Sequence, residues 1–174
     1  MHAPLQHVVR TVELPMRPVT EEEAEHAPAA IEGLEAERPA DDRAASVNWV
    51  HRVRNRRVLD RYEAQRADST LSAELHVVRL GDVVMATNPF ELFLDYGLRI
   101  KARSRARQTM LVQLARDSFG YLPTERAVRG KSYGAEVASN LVGPQGGQVL
   151  VDETVRTINA LWDGQRHVPA RAGS

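Results

Sequence analysis

Gly81-Asp82-Val83-Val84-Met85-Ala86-Thr87-Asn88-Pro89-Phe90-Glu91 is the stretch whose reading decides the fold. Gly81-Asp82 has turn chemistry, and Val83 to Ala86 is a continuous apolar run of the kind a central strand carries. Phe93, Tyr96, Gly97 and Ile100 then recur at helical spacing, so a strand ending at Thr87-Asn88-Pro89-Phe90-Glu91 feeds a helix. Glu91 sits at that junction, just after Pro89. Open α/β sheets gather their chemistry at such strand ends. A second strand end falls at Gly120-Tyr121-Leu122-Pro123-Thr124, and Tyr133 and Ser139-Asn140-Leu141-Val142-Gly143-Pro144 follow it.

Working outward, Leu71, Ala73, Leu75 and Val77 alternate with Ser72, Glu74 and His76, the signature of a half-buried strand. Thr109 to Leu114 reads as another buried strand and Pro123 to Arg129 as a short helix. Leu150, Val151, Val155, Ile158, Leu161 and Trp162 form one apolar stripe of a last helix. Upstream, Gln6 to Leu14 alternates weakly and ends at Pro15, as a short strand would. Thr20-Glu21-Glu22-Glu23 is a capping box that should start a helix, with Pro28 interrupting it and Pro39 ending its continuation. Asp41 or Asp42 can cap a longer helix reaching about Arg66. The expected architecture is α/β, a mixed sheet with flanking helices, forming an incomplete part of a larger α/β domain. Its organisation is a single region over 1–164, with a helical, polar segment at 20–67, a strand and helix core at 71–162, and a tail at 165–174 that frays.

The 174 residues suffice for one domain with a hydrophobic core, and 43% hydrophobic with 26% charged residues is a globular composition. Lys plus Arg equals Asp plus Glu at 23 each, so no global field draws the chain to nucleic acid or to an anionic membrane. There is no cysteine, which removes disulfides, thiolate metal sites and cysteine nucleophiles. The first residues lack the layout of a signal peptide, and no apolar run approaches the roughly 20 residues that span a bilayer. The expectation is a soluble chain with no export address in this sequence.

Four features bear on function, each with a plainer explanation beside it. Glu91 can be a strand-end functional carboxylate or a cap in the first turn of the following helix. Tyr133, in Lys131-Ser132-Tyr133-Gly134, can serve chemistry or packing. Gly143-Pro144-Gln145-Gly146-Gly147 can cradle an anion on exposed amides or simply start a helix, and without a Gly-x-Gly-x-x-Gly pattern the second reading is favoured. His51-Arg52-Val53-Arg54-Asn55-Arg56-Arg57 can contact RNA or form a solvated helix face, with Asp60 and Glu63 at pairing distance; the solvated face is favoured. The six histidines, His2, His7, His26, His51, His76 and His167, show no spacing that sets two imidazoles on one face, so no complete zinc site is legible. No Gly-x-Ser-x-Gly elbow is present.

The ordered series Leu80-Gly81-Asp82, Pro89-Phe90-Glu91, the helix through Gly97, Lys101 and Ser104, Gly120-Tyr121-Leu122-Pro123-Thr124, Tyr133 and Ser139-Asn140-Leu141-Val142-Gly143-Pro144 resembles the later part of the neutral/alkaline, non-lysosomal ceramidase domain. Glu13-Leu14-Pro15-Met16-Arg17-Pro18 also looks like a strand of that family. The resemblance implies an amide hydrolase that cleaves N-acylsphingosine into sphingosine and fatty acid with one zinc ion. In that family two early histidines, the glutamate of a Pro-Gly-Glu turn and a later tyrosine hold the metal. Carried over by position, Glu91 matches the glutamate and Tyr133 the tyrosine. The chain departs from the pattern at Phe90, where the family has glycine, and at Gly134, where it commonly has an acid, Glu136 being displaced.

The regions supplying both histidines lie N-terminal to anything in this sequence, and two oxygen ligands alone hold zinc poorly. The expectation is therefore the C-terminal portion of a zinc amidase, inactive alone, with zinc as cofactor and a lipid-like amide as substrate once completed. The alternative is a non-catalytic structural or interaction module derived from that family, with a partner chain or a second copy covering its exposed edges. Neither reading involves nucleic acid or a transmembrane segment; a weaker third has RNA binding at Arg52 to Arg57.

Overall fold

The computed structural model describes residues 5–67 and 69–163; the tail at 165–174, with His2 and His167, lies outside the described residues. In chain order the elements are β1 (Leu5–Pro15), α1 (Glu21–Ala36), α2 (Asp42–Ala64), β2 (Thr70–Leu80), β3 (Val83–Thr87), β4 (Glu91–Leu92), α3 (Leu94–Arg103), β5 (Gln108–Val112), β6 (Tyr121–Leu122), α4 (Glu125–Arg129) and α5 (Pro144–Asp163). A four-stranded sheet has the order β1-β2-β3-β5, and β4 and β6 pair in a separate two-stranded ribbon.

The main sheet is mixed because its connections differ. The Gly81-Asp82 turn returns β3 antiparallel to β2, with Gly81 at a φ of 60° that suits glycine. The excursion through α3 brings β5 back parallel to β3. The alternation around Leu75 is realised: Ala73, Leu75 and Val77 are fully buried on one face, joined by Val84 and Ala86. On that face lie Tyr96 and Ile100 of α3, and Leu150, Val151, Val155, Ile158 and Leu161 of α5. The opposite face carries exposed Leu5, Val9, Leu80, Met85, Met110 and Val112.

Helix α5 starts at Pro144, whose missing N–H costs nothing in a first turn. Gly146 and Gly147 are there for proximity. A Cβ on Gly146 would lie 2.2 Å from Val142 Cγ1 and 2.8 Å from the Pro15 carbonyl oxygen, and one on Gly147 would lie 2.3 Å from the Tyr96 hydroxyl. The glycines thus seat α5 against β1 and α3, in keeping with the helix-start reading. At the other end of α5, the buried Arg79 guanidinium bonds the Leu161 carbonyl and lies 3.7 Å over the Trp162 ring. A cation suits that helix terminus.

The Thr20 capping box forms as its sequence implies: Glu23 N–H donates to the Thr20 hydroxyl at 3.2 Å, and Thr20 N–H to the Glu23 carboxylate at 3.0 Å. Asp41 caps α2, accepting from Ala44 N–H at 2.7 Å. Pro28 departs from expectation, because α1 runs through it without a break. Its ring is on the exposed side, while Ala24 and Ala27 are buried in a small core with Val19 and Val58. Packing against α2 outweighs the lost hydrogen bond. Among the described residues, no helix is long and apolar enough to cross a membrane.

Candidate functional site

Glu91 is held by strand pairing and not by a helix. It opens β4, three residues before α3, and its N–H donates to the Gly120 carbonyl at 3.0 Å. The acidic residue in the first turn of α3 is Asp95, which corrects the reading of Glu91 as a helix cap. Upstream, the buried Asn88 side chain accepts from Phe90 N–H at 3.0 Å, and Asn88 N–H donates to Val112 at 3.0 Å. The Phe119 N–H bonds the Pro89 carbonyl at 2.9 Å, so the loop after β5 zips along the chain that leads into Glu91. Leu114 and Arg116 on that loop sit at φ 53° and 71°, backbone strain that the surrounding bonds hold in place. Phe90, where the resembled family has glycine, is fully buried and packs against Phe119 with ring centroids 5.7 Å apart. It anchors the turn and presents no bare backbone.

The parallel β4–β6 ribbon puts Glu91 directly opposite Tyr121. The side chains of Tyr133 and Glu91 act on the Tyr121 hydroxyl and push its pKa up to about 12, Tyr133 contributing most. The Tyr121 and Tyr133 rings meet edge to face at 5.6 Å and 71°. Glu91 and Tyr133, singled out from the sequence, thus stand on either side of Tyr121, which was not. Tyr121 follows Gly120 at the second strand end, but nothing local in the sequence announces its partner. Tyr133 is 82% exposed, so it is no core packing residue. Gly134 explains the missing acid: at φ 76°, a Cβ there would lie 2.8 Å from Tyr121 Cγ.

The loop that carries Tyr133 is tied down from behind. Buried Asn140 donates to the carbonyls of Gly134 at 3.0 Å and Glu136 at 2.6 Å, and accepts from Arg17 at 2.8 Å. Arg17 also donates to the Ala135 carbonyl at 2.7 Å and pairs with Glu23 at 2.8 Å. Arg61 of α2 donates to the carbonyls of Val137, Asn140 and Arg17 at 2.8, 3.1 and 2.9 Å. Burial and the neighbouring Arg17 charge lower the Arg61 pKa, and its three carbonyl partners answer that cost. The helical, polar segment at 20–67 thus braces the site through Arg61.

The basic run on α2 divides by helical period. Arg52 and Arg56 both reach Glu35 of α1, at 2.7 and 3.2 Å, while Asp60 and Glu63 form no ion pair with the run among the described residues. Arg54, Arg57 and Arg61 instead line a cleft of about 230 Å³ that Glu91, Ser118 and Gly120 also line.

Glu91, Tyr121 and Tyr133 offer one carboxylate and two phenols. Among the described residues no group of three or more His, Cys, Asp or Glu side chains could hold a metal. His7 and His76 do stack across β1 and β2, with a 3.0 Å Nε2 to Nδ1 contact, but on the outer sheet face beside Glu74. An all-oxygen set is a poor match for zinc, which favours imidazole or thiolate. These residues do not make a zinc site by themselves.

No protein-family model matches the chain, and no curated protein matches it in sequence. Its fold is similar to part of a solved structure, the neutral ceramidase from Pseudomonas aeruginosa, with a TM-score of 0.57 and 15% identity. That similarity covers 98% of this chain and 30% of the other, so the chain spans under a third of the length of that structure. A ceramidase complexed with C2 aligns over 61% of this chain and 17% of its own, with a TM-score of 0.47 and 18% identity.

Proposed function

We propose that this chain forms part of a ceramidase-like, zinc-dependent amide hydrolase and contributes the oxygen side of its site through Glu91 and its tyrosine neighbours. The observation that carries the reading is the Glu91–Tyr121 pair, in register on β4 and β6, with the Tyr133 ring edge to face against Tyr121. The fold similarity to neutral ceramidase over nearly the whole chain supports it. Zinc, where bound, lowers the pKa of its water and polarises an amide carbonyl. The contribution of this chain is to present the Glu91 carboxylate from the β4–β6 ribbon and the Tyr133 phenol from the loop that Asn140 and Arg17 tie down. Nitrogen ligands would have to come from outside these residues, and the chain alone is inactive.

The substrate of the completed site is a lipid-like amide, with N-acylsphingosine as its reference compound. Purified chain incubated with N-acylsphingosine and zinc should release no fatty acid, and robust hydrolysis by the lone chain would overturn the reading. A second reading, a non-catalytic structural or interaction module, draws support from the apolar side chains on the outer sheet face, which suit a further layer or partner. Under it, Glu91→Ala and Tyr133→Phe leave every cellular phenotype unchanged.

A further inference from the structure

Helical spacing turns one basic run into two stripes with different fates. Positions 52 and 56 share a face and are neutralised by Glu35. Positions 54, 57 and 61 share another, and all three line the cleft beside Glu91. Arg61 spends its guanidinium on three backbone carbonyls. Arg54 and Arg57 form no hydrogen bond or ion pair among the described residues, and neither pairs with Glu91. Three cations therefore face one carboxylate across a small cleft, leaving an excess of positive charge.

We propose that this cleft binds a carboxylate group on a short aliphatic stem, gripped by Arg54 and Arg57. Guanidinium forks match carboxylate geometry and can bond it bidentately. Phe119, Ala138 and Leu141 add apolar wall for the stem, and the Ser118 side chain lies beside them. The cleft volume of about 230 Å³ suits a head group with a few carbons. An extended polyanion such as RNA would need the whole basic run, and Glu35 already holds half of it. Such a carboxylate has two chemical sources, a fatty acid released by amide cleavage or an N-acyl amino acid. Only that link to catalysis rests on the amidase reading; the binding does not.

The test is calorimetry on the full chain without added metal, using hexanoate, N-hexanoylglycine and neutral hexanamide. The carboxylates should bind at least about tenfold more tightly than hexanamide, with the advantage shrinking as salt rises. Arg54→Gln/Arg57→Gln should erase that advantage, whereas Arg52→Gln/Arg56→Gln, equal in charge, should leave it intact. Glu91→Gln should tighten binding severalfold by removing the local negative charge. Preference for hexanoate identifies a product-type ligand, and preference for N-hexanoylglycine a substrate-type one. Equal affinity for hexanoate and hexanamide, or equal losses in the two double variants, overturns the proposal. Circular dichroism of each variant separates lost binding from lost fold. Neither outcome bears on whether Glu91 holds a metal.

Discussion

Glu91 and Tyr121 face each other across the β4–β6 ribbon, in register. Both belong to two-residue strands, so the surrounding loops fix the pair more than the ribbon does. Those loops are locked by Asn88 on one side and Asn140 on the other.

Gly134→Ala should be destabilising by about 1–3 kcal/mol, because alanine at φ 76° is strained and its Cβ would collide with the Tyr121 ring. Chemical denaturation measures the loss. The near-ultraviolet dichroism of the tyrosines should change with it, since the edge-to-face contact with Tyr133 moves.

Asn140→Ala should cost about 2–3 kcal/mol, leaving the carbonyls of Gly134 and Glu136 and one bond of Arg17 without their partner. Hydrogen exchange should then quicken across 131–140 more than in the main sheet. Uniform quickening throughout would contradict the assignment of Asn140 to local bracing.

Phenolate absorbance should show Tyr121 ionising well above the ordinary 10.0, at about 12. Because its folded pKa is raised, the stability linked to this group is full below pH 10.0 and is lost as pH climbs through about 12. Tyr133→Phe removes the largest cause and should lower that value. Tyr96 also ionises at about 12, chiefly through burial, so Tyr121→Phe is needed to subtract its signal.

Gly147→Ala should displace Tyr96 or push α5 outward, since the new Cβ would lie 2.3 Å from the Tyr96 hydroxyl. That hydroxyl donates to the Pro123 carbonyl at 2.8 Å, next to β6. Overpacking of this kind costs about 1–3 kcal/mol. Thermal unfolding checks the cost.

The parts of the fold that were legible are those whose pattern is local. The period-two alternation at Leu71 to Val77, the 3.6-residue stripe of α5 and the Thr20 and Asp41 caps each state their element within a few residues. Pro28 misled because tertiary packing of Ala24 and Ala27 overrides a local breaker. The strand status of Glu91 was illegible because a two-residue parallel pair has no periodicity to read. Its partner Tyr121 lies 30 positions later, and only the β5 loop brings it back. Glu91 and Tyr133 stood out from their places at a strand end and in a loop, and only their proposed ligand roles came from the family resemblance, whereas the split of the basic run into paired and unpaired stripes needed the position of Glu35.

The central claim is that Glu91 supplies a ligand to an incomplete metal site. A zinc titration of the purified chain, run alongside Glu91→Gln, tests it most directly. The account predicts weak binding that Glu91→Gln abolishes and Tyr133→Phe reduces. Tight zinc binding that survives Glu91→Gln would contradict it.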